Sequence, residues 1–383
     1  MILALTLLAV WYLSTWIRVV GGFIAKKHFD EPAQVERKWQ YPPVSIIKTV
    51  KGSTPGLVAR LQSCVNFDYP EYELILACES GDEAYKLLGN FSQTWKSFRN
   101  IATRGCVCVK LVTVQSSRFR NPKSQLMRAG FDASQFEHVL VSDENVRTGH
   151  NYLSELMADF LKNPVGLMSQ AVIYDDAPGL GGKLERAYLN GFYAPSIVLA
   201  HQLKIPVVMG KSLLFKKNTF QASGDFEQLE ETIAEDYEMG RMIGKAGFTV
   251  RVASRPLECS TASEIPLKAA WQRLLRWTIL RKYQAPVAFF LEPFTCSWFS
   301  SLAGAWAMDH FSRHPILFFF VSLTIWFVSE VKICPHTTVI GWIIREVTAI
   351  PLWITALFCR TIKWRGNNFK IGYRCRIKPK KGE

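Results

Sequence analysis

Four long apolar segments most constrain how this chain can fold. The first covers residues 2–25 and is broken only by Ser14, Thr15 and Arg18, and about 20 apolar residues suffice to cross a bilayer. Because it begins without basic residues and has no clear small-x-small cleavage site, we expect a membrane anchor rather than a cleaved signal peptide. The other three apolar segments lie near the C-terminus, at residues 286–308, 315–331 and 339–358.

Basic residues predict the orientation of these segments. Four of them follow the first segment: Lys26, Lys27, Arg37 and Lys38. By the positive-inside rule, the N-terminus lies outside and the next domain lies in the cytosol. If all three C-terminal segments crossed the membrane, the basic tail after Cys359 would end outside, against that rule. Since residues 286–308 contain Glu292 and Pro293, we expect this segment to be re-entrant or interfacial, with the tail inside.

These patterns predict an integral membrane protein in five parts. The predicted parts are an N-terminal transmembrane anchor at 1–26, a cytosolic α/β domain at 40–262, an amphipathic interfacial helix at 263–285, membrane segments at 286–359 and a basic cytosolic tail at 360–383. The amphipathic helix is inferred from apolar residues at i, i+3, i+4 and i+7 between Trp271 and Thr278, with basic residues around them. Packing of this helix against the α/β domain explains the same pattern equally well.

Alternating strand-like and helix-like runs fill the middle of the chain. Strands are predicted at residues 41–50, 73–78, 107–114, 138–142, 166–174 and 248–253. Residues 234–246 predict a helix, and the Gly- and Pro-rich residues 175–182 predict a loop. This alternation indicates an α/β fold with a largely parallel sheet. Ligands bind such sheets beyond the carboxyl ends of their strands, which is where two acidic clusters, at 79–83 and 143–144, are expected.

Charge and cysteine usage narrow the function classes. The net charge of +14 suits nucleic acid, an anionic membrane surface or a phosphorylated substrate. With 49% hydrophobic residues, a membrane is favoured over nucleic acid as the partner. The positive-inside bias of membrane proteins explains most of the excess of basic residues. No nucleic-acid partner is expected. Nine cysteines without a CxxC pair indicate reduced thiols rather than a disulfide framework or a zinc site.

Two aspartates are the leading candidates for chemistry. Asp143 ends an apolar strand and could hold a hard divalent cation on a diphosphate, although acidic residues also cap helices at such places. Asp236 follows Glu235 at the start of a predicted helix. It could serve as a general base toward an acceptor hydroxyl, although the helix dipole alone favours acids in a first turn.

Several other side chains are candidates for holding a nucleotide donor. They are Glu79, Asp82, Lys123, Arg273, Arg276 and Trp277. Glu79 and Asp82 could contact a base or ribose, although a solvated loop explains either one singly. The lysine and the two arginines could pair with phosphates, arginine in bidentate fashion. For the arginines and Trp277, contact with lipid at the membrane interface is the alternative.

Taken in order, these motifs resemble those of ceramide glucosyltransferases and their bacterial, hopanoid-associated relatives among glycosyltransferase families 2 and 21. The matching motifs are PPVSIIKTVKG (42–52), NFDYPEYELILAC (66–78), NPK (121–123), VSDENVR (141–147), VGL (165–167), IAEDYEM (233–239), RLLRW (273–277) and TIKWRG (361–366). Their order and spacing cover nearly the whole chain.

Two of the three aspartates in that family's pattern have a matching aspartate in this chain, and one does not. Asp143 and Asp236 take the places of the second and third aspartates, and RLLRW takes that of the (Q/R)xxRW motif. The first aspartate falls on Ser80, so Glu79 or Asp82 is expected to replace it. Ser169 and Gln170 stand where the animal enzymes have a histidine after VGL.

The resemblance implies a GT-A fold and inverting transfer of a sugar, glucose first, from a UDP-sugar to the hydroxyl of a lipid such as ceramide. Asp143 would hold Mg²⁺ or Mn²⁺ on the diphosphate, Asp236 would take the proton of the lipid hydroxyl, and RLLRW would lie at the mouth of the site. The host would be a bacterial inner membrane or a Golgi or endoplasmic reticulum membrane. Two alternatives stay open: transfer of glucose, N-acetylglucosamine or another hexose to a hopanoid or diacyl lipid, and a non-catalytic protein with a degenerate domain.

Overall fold

The fold is known from a computed structural model of the chain. It describes residues 1–31, 40–96, 98–99, 106–115, 120–162, 164–260, 263–311, 314–334, 336–364 and 367–378. Arg37 and Lys38 of the predicted basic flank, residues 365–366 of the last motif and residues 379–383 of the predicted tail lie outside these ranges.

Two compact units make up the chain, and each is described by itself. One unit, here called the membrane unit, contains Met1–His28, Ile173–Leu199 and Ser263–Gly382. The other, here called the sheet unit, contains the described residues of Phe29–Val172 and Ala200–Ala262. The boundaries differ from the predicted domain at 40–262, because residues 173–199 group with the membrane segments.

The described residues in the central part of the chain form ten strands. They are β1 (Val44–Thr49), β2 (Glu71–Glu79), β3 (Phe98–Arg99), β4 (Cys106–Val114), β5 (His138–Asp143), β6 (Leu167–Ser169), β7 (Val172–Asp176), β8 (Ser212–Lys216), β9 (Val250–Val252) and β10 (Leu257–Ser260). Eight of them form the main sheet in the order β3-β4-β2-β1-β5-β8-β6-β9. The neighbours β4-β2, β2-β1, β1-β5 and β6-β9 are parallel, whereas β8 runs antiparallel to both β5 and β6. The prediction of a largely parallel sheet is confirmed.

Strand β1 is the centre of this sheet and is buried along its whole length. Strands covered on both faces usually read as continuous apolar runs, and β1 departs from this at Ser45, Lys48 and Thr49, which are buried polar residues. The register pairs Thr49 of β1 with Ala77 of β2 and with Asp143 of β5. The carboxyl ends of three strands therefore meet at one edge of the sheet.

Helices cover both faces of the sheet. The helices of this unit are α2 (Leu57–Cys64), α3 (Tyr85–Thr94), α4 (Pro122–Ala133), α5 (Tyr152–Lys162), α8 (Lys217–Ser223), α9 (Phe226–Glu230) and α10 (Glu235–Lys245). Buried residues of α2, α3 and α5 share one apolar core with the sheet, and those of α4, α8, α9 and α10 share the second. The sheet unit is thus a three-layer α/β structure.

The membrane unit is mostly helical. Its helices are α1 (Ile2–Phe29), α6 (Gly179–Tyr188), α7 (Ala194–Gln202), α11 (Leu267–Gln284), α12 (Pro286–Leu291), α13 (Ser297–His310), α14 (Pro315–Ile333) and α15 (Val339–Phe358). A small antiparallel sheet follows, of β11 (Thr361–Trp364), β12 (Asn367–Ile371) and β13 (Ile377–Lys378). The sequence predicted only a basic tail at this place.

Three helices of the described residues are long and apolar enough to cross a membrane. They are Ile2–Phe29, Pro315–Lys332 and Val339–Phe358. Residues 286–308 are divided between α12, a 3₁₀ turn at Glu292–Thr295 and α13. Each piece is shorter than the roughly 20 residues of a spanning helix. Whether this segment is re-entrant stays a prediction.

The predicted loop at 175–182 is wrong from Gly179 onward, where α6 begins. A Cβ atom at Gly181 would overlap the carbonyl oxygen of Ile265, and one at Gly182 would meet the carbonyl oxygen of Ala177 at 2.5 Å. Glycines are therefore used here for close packing of a helix rather than for a turn. The predicted strand at 166–174 is also divided, into β6 and β7.

Helix α11, predicted at 263–285, packs against α6 and α15 within the membrane unit. Its basic residues have partners there. Arg281 forms an ion pair with Glu292 at 2.5 Å, and the Lys282 ammonium donates to the carbonyl oxygens of Ala356, Leu357 and Cys359 at the end of α15. Lysine at this position stabilises the unpaired carbonyls of a helix C-terminus.

Candidate active site

Asp143 lies at the carboxyl end of β5, beside the ends of β1 and β2. Its carboxylate is partly exposed, with 27% of the side chain accessible. The residue before it is fixed by Lys48 of β1, a fully buried lysine whose ammonium donates to Ser142 Oγ at 2.9 Å. Lys48 also donates to the carbonyl oxygens of Asp143 and Val146. Sequence reasoning missed this lysine, because it stands inside an apolar strand.

The motif NPK starts helix α4 and brings a lysine to Asp143. Asn121 is the N-cap: its Oδ1 accepts from the amides of Lys123 and Ser124. Pro122 occupies the first helical position, where its fixed φ angle is favourable. The Lys123 ammonium lies 2.8 Å from Asp143 Oδ1, 2.9 Å from Glu235 Oε1 and 3.2 Å from the carbonyl oxygen of Gly210. The predicted site residues Lys123 and Asp143 are therefore in contact.

Glu235 and Asp236 begin helix α10 but have different surroundings. Glu235 is buried between the Lys123 ammonium and Asn121 Nδ2, which donates to its Oε2 at 2.9 Å. Asp236 is partly exposed, and its Oδ1 accepts from the amide of Tyr237 at 2.8 Å. Among the described residues no ion pair of Asp236 is found. Of the two adjacent acids, Asp236 is therefore the one whose carboxylate is accessible to solvent.

The surroundings of Asp236 favour its protonated form. Burial and the nearby charge of Glu235 raise its pKa from 3.8 to about 6, although the Lys123 ammonium and the Tyr237 amide act in the opposite direction. Burial alone would lower the pKa of Lys123, but the carboxylates of Asp143 and Glu235 overcome this and hold it above its ordinary value. Lys123 is therefore charged at neutral pH, whereas Asp236 gains or loses its proton near neutral pH.

Gly210 is a further residue of this site that the sequence did not reveal. A Cβ atom there would lie 2.8 Å from Asp236 Oδ2 and 2.9 Å from its Cβ. Any larger residue would displace the carboxylate. The preceding residue, Met209, is fixed because its amide donates to Ser169 Oγ at 2.9 Å. Ser169, one of the two residues that stand where the resemblance led us to expect a histidine after VGL, thus supports the loop that carries Gly210.

Gln170, the other residue at that position, is the centre of a buried polar group. Its Oε1 accepts from Tyr152 Oη at 2.9 Å and from Ser212 Oγ at 2.8 Å. Its Nε2 donates to the carbonyl oxygen of Arg255. Buried polar side chains of this kind specify one arrangement of neighbouring elements. Gln170 therefore joins α5, β8 and the chain after β9.

Glu79 and Asp82 lie at the carboxyl end of β2 and bind the loop after β1. Glu79 pairs with the Lys51 ammonium at 2.8 Å. Asp82 accepts from the amides of Gly52, at 2.9 Å, and Ala84, at 2.9 Å. The Lys51 amide donates to Glu144, the residue after Asp143, at 2.6 Å. Glu79 and Asp82 thus bind Lys51 and Gly52 of the loop whose Lys51 amide also contacts Glu144, and the role of both acids toward a nucleotide stays a prediction.

Arg273, Arg276 and Trp277 lie on α11, in the membrane unit. Arg273 forms an ion pair with the fully buried Glu185 of α6 at 2.9 Å. The Trp277 ring contacts Tyr193 edge to face, with centroids 5.5 Å apart. All three side chains are half-buried. Their predicted contact with a diphosphate stays a prediction.

The charges at the site bear on whether it suits a divalent cation. In the described part of the chain no group of three or more His, Cys, Asp or Glu side chains could hold a metal ion. Asp143, Glu235 and Asp236, when ionised, nevertheless exceed the single charge of Lys123 by two. Mg²⁺ is commonly held by one or two carboxylates together with substrate phosphates. The donor set fits a metal that binds with the nucleotide, with Asp143 as the partly exposed ligand.

The sequence matches a family model over almost its whole length. The model of glycosyl transferase family 21 aligns with residues 2–377. Among curated proteins, ceramide glucosyltransferase 3 of Caenorhabditis elegans is 23% identical over 362 residues, covering 91% of this chain and 77% of that protein. Ceramide glucosyltransferase 1 of the same organism is 24% identical, covering 91% of this chain and 76% of that protein.

Among solved structures, a mannosyltransferase from Pyrobaculum calidifontis in complex with GDP-Man and Mn²⁺ has the same fold. It superposes with a TM-score of 0.55, at 14% sequence identity, over 93% of this chain and 98% of that chain. The predicted GT-A fold is confirmed.

Proposed function

Because the chain belongs to glycosyl transferase family 21, we propose that it transfers glucose from a UDP-sugar to the hydroxyl of a membrane lipid such as ceramide, with inversion at the sugar. The relatives named ceramide glucosyltransferase support this choice of donor sugar and acceptor. The observation that carries the proposal is the cluster of Lys123, Asp143, Glu235 and Asp236 at the carboxyl edge of the sheet.

Asp236 is proposed as the general base. An inverting transfer has one displacement, in which the acceptor oxygen attacks the sugar carbon and loses its proton to a base on the same side. A base is most effective when its pKa lies near the working pH, and that of Asp236 is raised to about 6. Its carboxylate is partly exposed, and the absence of a side chain at Gly210 is what lets the carboxylate occupy this place.

Lys123 and Glu235 are proposed to position the site. Lys123 contacts both Asp143 and Glu235 and so fixes the strand end relative to the start of α10. Asp143 would contribute one oxygen to a divalent cation, whose positive charge offsets the charge that develops on the leaving diphosphate. Glu235, being buried and doubly bound, maintains the charge near Asp236 that raises its pKa.

The experiment that tests the proposal offers several donors and acceptors to membranes that contain the protein. Radiolabelled UDP-glucose, UDP-N-acetylglucosamine and UDP-galactose are each incubated with ceramide, a hopanoid alcohol and diacylglycerol, and the lipid products are separated. We expect labelled lipid from UDP-glucose and ceramide. If only a hopanoid or diacyl lipid became labelled, that lipid rather than ceramide would be the acceptor. Folded protein that labels no lipid would refute the transferase function.

The pH dependence of transfer should report the base. Asp236 accepts a proton only when ionised, and its pKa is about 6, so kcat/KM should rise with pH below that value and level off above it. The rates are measured with saturating donor across this range, with protein integrity checked at each pH. A base of ordinary carboxylate pKa would keep most of the activity down to about pH 5 and lose half of it only near pH 4, and such a profile would remove Asp236 from the role of base.

Binding of a metal should depend on the nucleotide. Since Asp143 is the one carboxylate proposed to hold the metal and its Oδ1 contacts Lys123, Mn²⁺ should bind weakly to the protein alone and at least about tenfold more tightly with UDP present. Isothermal titration with Mn²⁺, with and without UDP, measures this directly. Asp143→Asn is the matched control and should remove the difference. Equal affinity in both titrations would contradict a metal shared with the diphosphate.

A further inference from the structure

A cavity of about 230 Å³ lies inside the membrane unit, against helix α1. Helix α7, α14 and the segment between α12 and α13 complete its wall, through residues such as Leu199, Trp326 and Phe294. The wall is mainly apolar. Neither the family motifs nor the cluster around Asp236 includes any of these residues.

The cavity follows one face of α1. The lining residues of that helix recur at helical spacing: Val10, Leu13, Ser14, Ile17, Arg18 and Gly21. With Gly22, the lined part extends over residues 10–22, which rise about 18 Å along the helix. The hydrocarbon part of one bilayer leaflet is about 15 Å thick, half of the full core. The cavity is therefore a groove about as long as one lipid chain in one leaflet.

The groove opens toward the surface that faces the membrane. Leu13 and Ile17 line it and yet are 56% and 42% exposed, and Leu291 is 57% exposed at the same rim. Helix α1 is one of the helices that could cross a membrane, so the medium outside this rim is hydrocarbon. A lipid chain could enter sideways without passing through water.

The charged residues of the wall neutralise one another. Arg18 forms an ion pair with Glu330, which also accepts from Arg345 at 2.6 and 2.7 Å. Most hydroxyl groups of the wall are satisfied by their own helices; Ser196 donates to the carbonyl oxygen of Phe192, and Ser329 to that of Trp326. The groove thus presents hydrocarbon and paired charges, which suits an uncharged chain rather than an ionic headgroup.

We propose that this groove binds one hydrocarbon chain of the acceptor lipid while the lipid's hydroxyl is glycosylated. The identification of the occupant as the acceptor rests on the proposed function; that the groove binds a lipid chain does not. Contact with the chain makes the enzyme favour long-chain acceptors over short-chain ones, because methylene groups leave the bilayer for an equally apolar and well-packed wall.

The first measurement is photolabelling. A ceramide with a diazirine in the middle of its acyl chain is added to vesicles of phosphatidylcholine that contain the full-length protein, and the labelled residues are found by mass spectrometry. We expect label at residues 10–22 and 192–199. Ile17→Trp, which places an indole ring in the groove, should lower this labelling about tenfold. Leu5→Trp, on the same helix and 51% exposed but outside the groove, should leave it unchanged.

The second measurement is chain-length preference. For Ile17→Trp, kcat/KM for a long-chain ceramide should fall about tenfold and that for a short-chain ceramide should hardly change, with KM for the nucleotide sugar unaltered. Leu13→Trp serves as a second variant if the first does not fold. Label elsewhere in the protein, or labelling and preference that both survive the substitutions, would overturn the proposal. Label in the groove with transfer to no lipid would instead refute the proposed function and support a lipid-chain site alone.

Discussion

Replacing Asp236 by asparagine should lower the rate of sugar transfer by about a hundred- to ten-thousandfold, the range in which a general base contributes. The amide has nearly the same shape and retains an oxygen that can accept from the Tyr237 amide, but it cannot take a proton. Transfer of radiolabelled sugar to lipid measures the loss. The donor should still bind, since Lys123 and Asp143 are unchanged.

The same substitution should stabilise the folded protein at neutral pH. The raised pKa of Asp236 means that folding disfavours its ionised form, so the carboxylate destabilises the fold above about pH 6 and not below its ordinary value of 3.8. Each pKa unit corresponds to about 1.4 kcal/mol; with allowance for solvent screening of a partly exposed group, we expect a gain of about 1–2 kcal/mol. The penalty grows between pH 3.8 and about pH 6, so thermal unfolding in detergent should show a larger gain at about pH 7.5 than at about pH 5.

Glu235→Gln is the matched control for this pair of effects. It removes a neighbouring carboxylate of the same helix, but Glu235 is buried against Lys123 and Asn121. We therefore expect lower stability rather than higher, because the Lys123 ammonium loses one of its two carboxylates. If Asp236→Asn retained transfer, or if both variants changed stability in the same direction, Asp236 would not be the disfavoured charge of this site.

Replacing Glu330 by alanine should destabilise the membrane unit by about 3–5 kcal/mol, the cost of leaving buried charges without their partner. Glu330 is nearly inaccessible and pairs with both Arg18 of α1 and Arg345 of α15. Arg345 retains Glu346 at 2.5 Å, whereas Arg18 has no other ion pair among the described residues. Thermal unfolding of the purified protein in detergent, followed by aggregation-sensitive fluorescence, measures the effect.

A combined substitution separates charge from packing at this place. Changing Arg18 and Glu330 to methionine together removes their ion pair while filling similar volume and leaves Arg345 paired with Glu346, and such replacements are often neutral or stabilising. We expect the double variant to be more stable than Glu330→Ala alone. A double variant as unstable as the single one would show that the ion pair between Arg18 and Glu330 itself, rather than the compensation of its charges, holds α1 against α14.

Much of the fold of the sheet unit could be predicted, because short stretches of sequence specify its strands and helices. The apolar runs of β2 and β5 are short, continuous and followed by acidic residues, which indicates both the strands and the edge where Asp143 lies. Helix α10 was predicted within one residue at either end. The roles of Asp143 and Asp236 were suggested by resemblance to a family, since each has an ordinary capping explanation when considered alone.

The remaining features depend on contacts between distant parts of the chain. Helix α6 forms in a Gly- and Pro-rich stretch because its glycines pack on the segment before α11, and no local pattern shows this. Gly210 matters only because Asp236 approaches it from 26 positions away, a separation read directly from the numbering. Lys48 reads as an ordinary charge in a strand until β5 provides its acceptors.

The double use of Asn121 has a consequence for the chemical lifetime of the site. Its Oδ1 caps α4 and its Nδ2 donates to Glu235, so conversion of the amide to a carboxylate would place a further negative charge against a buried one. Asparagine usually deamidates when the backbone nitrogen of the next residue attacks the side-chain carbonyl carbon. The next residue here is Pro122, whose ring nitrogen carries no hydrogen and cannot form that cyclic imide. The sequence Asn-Pro therefore protects the amide on which both helix starts depend.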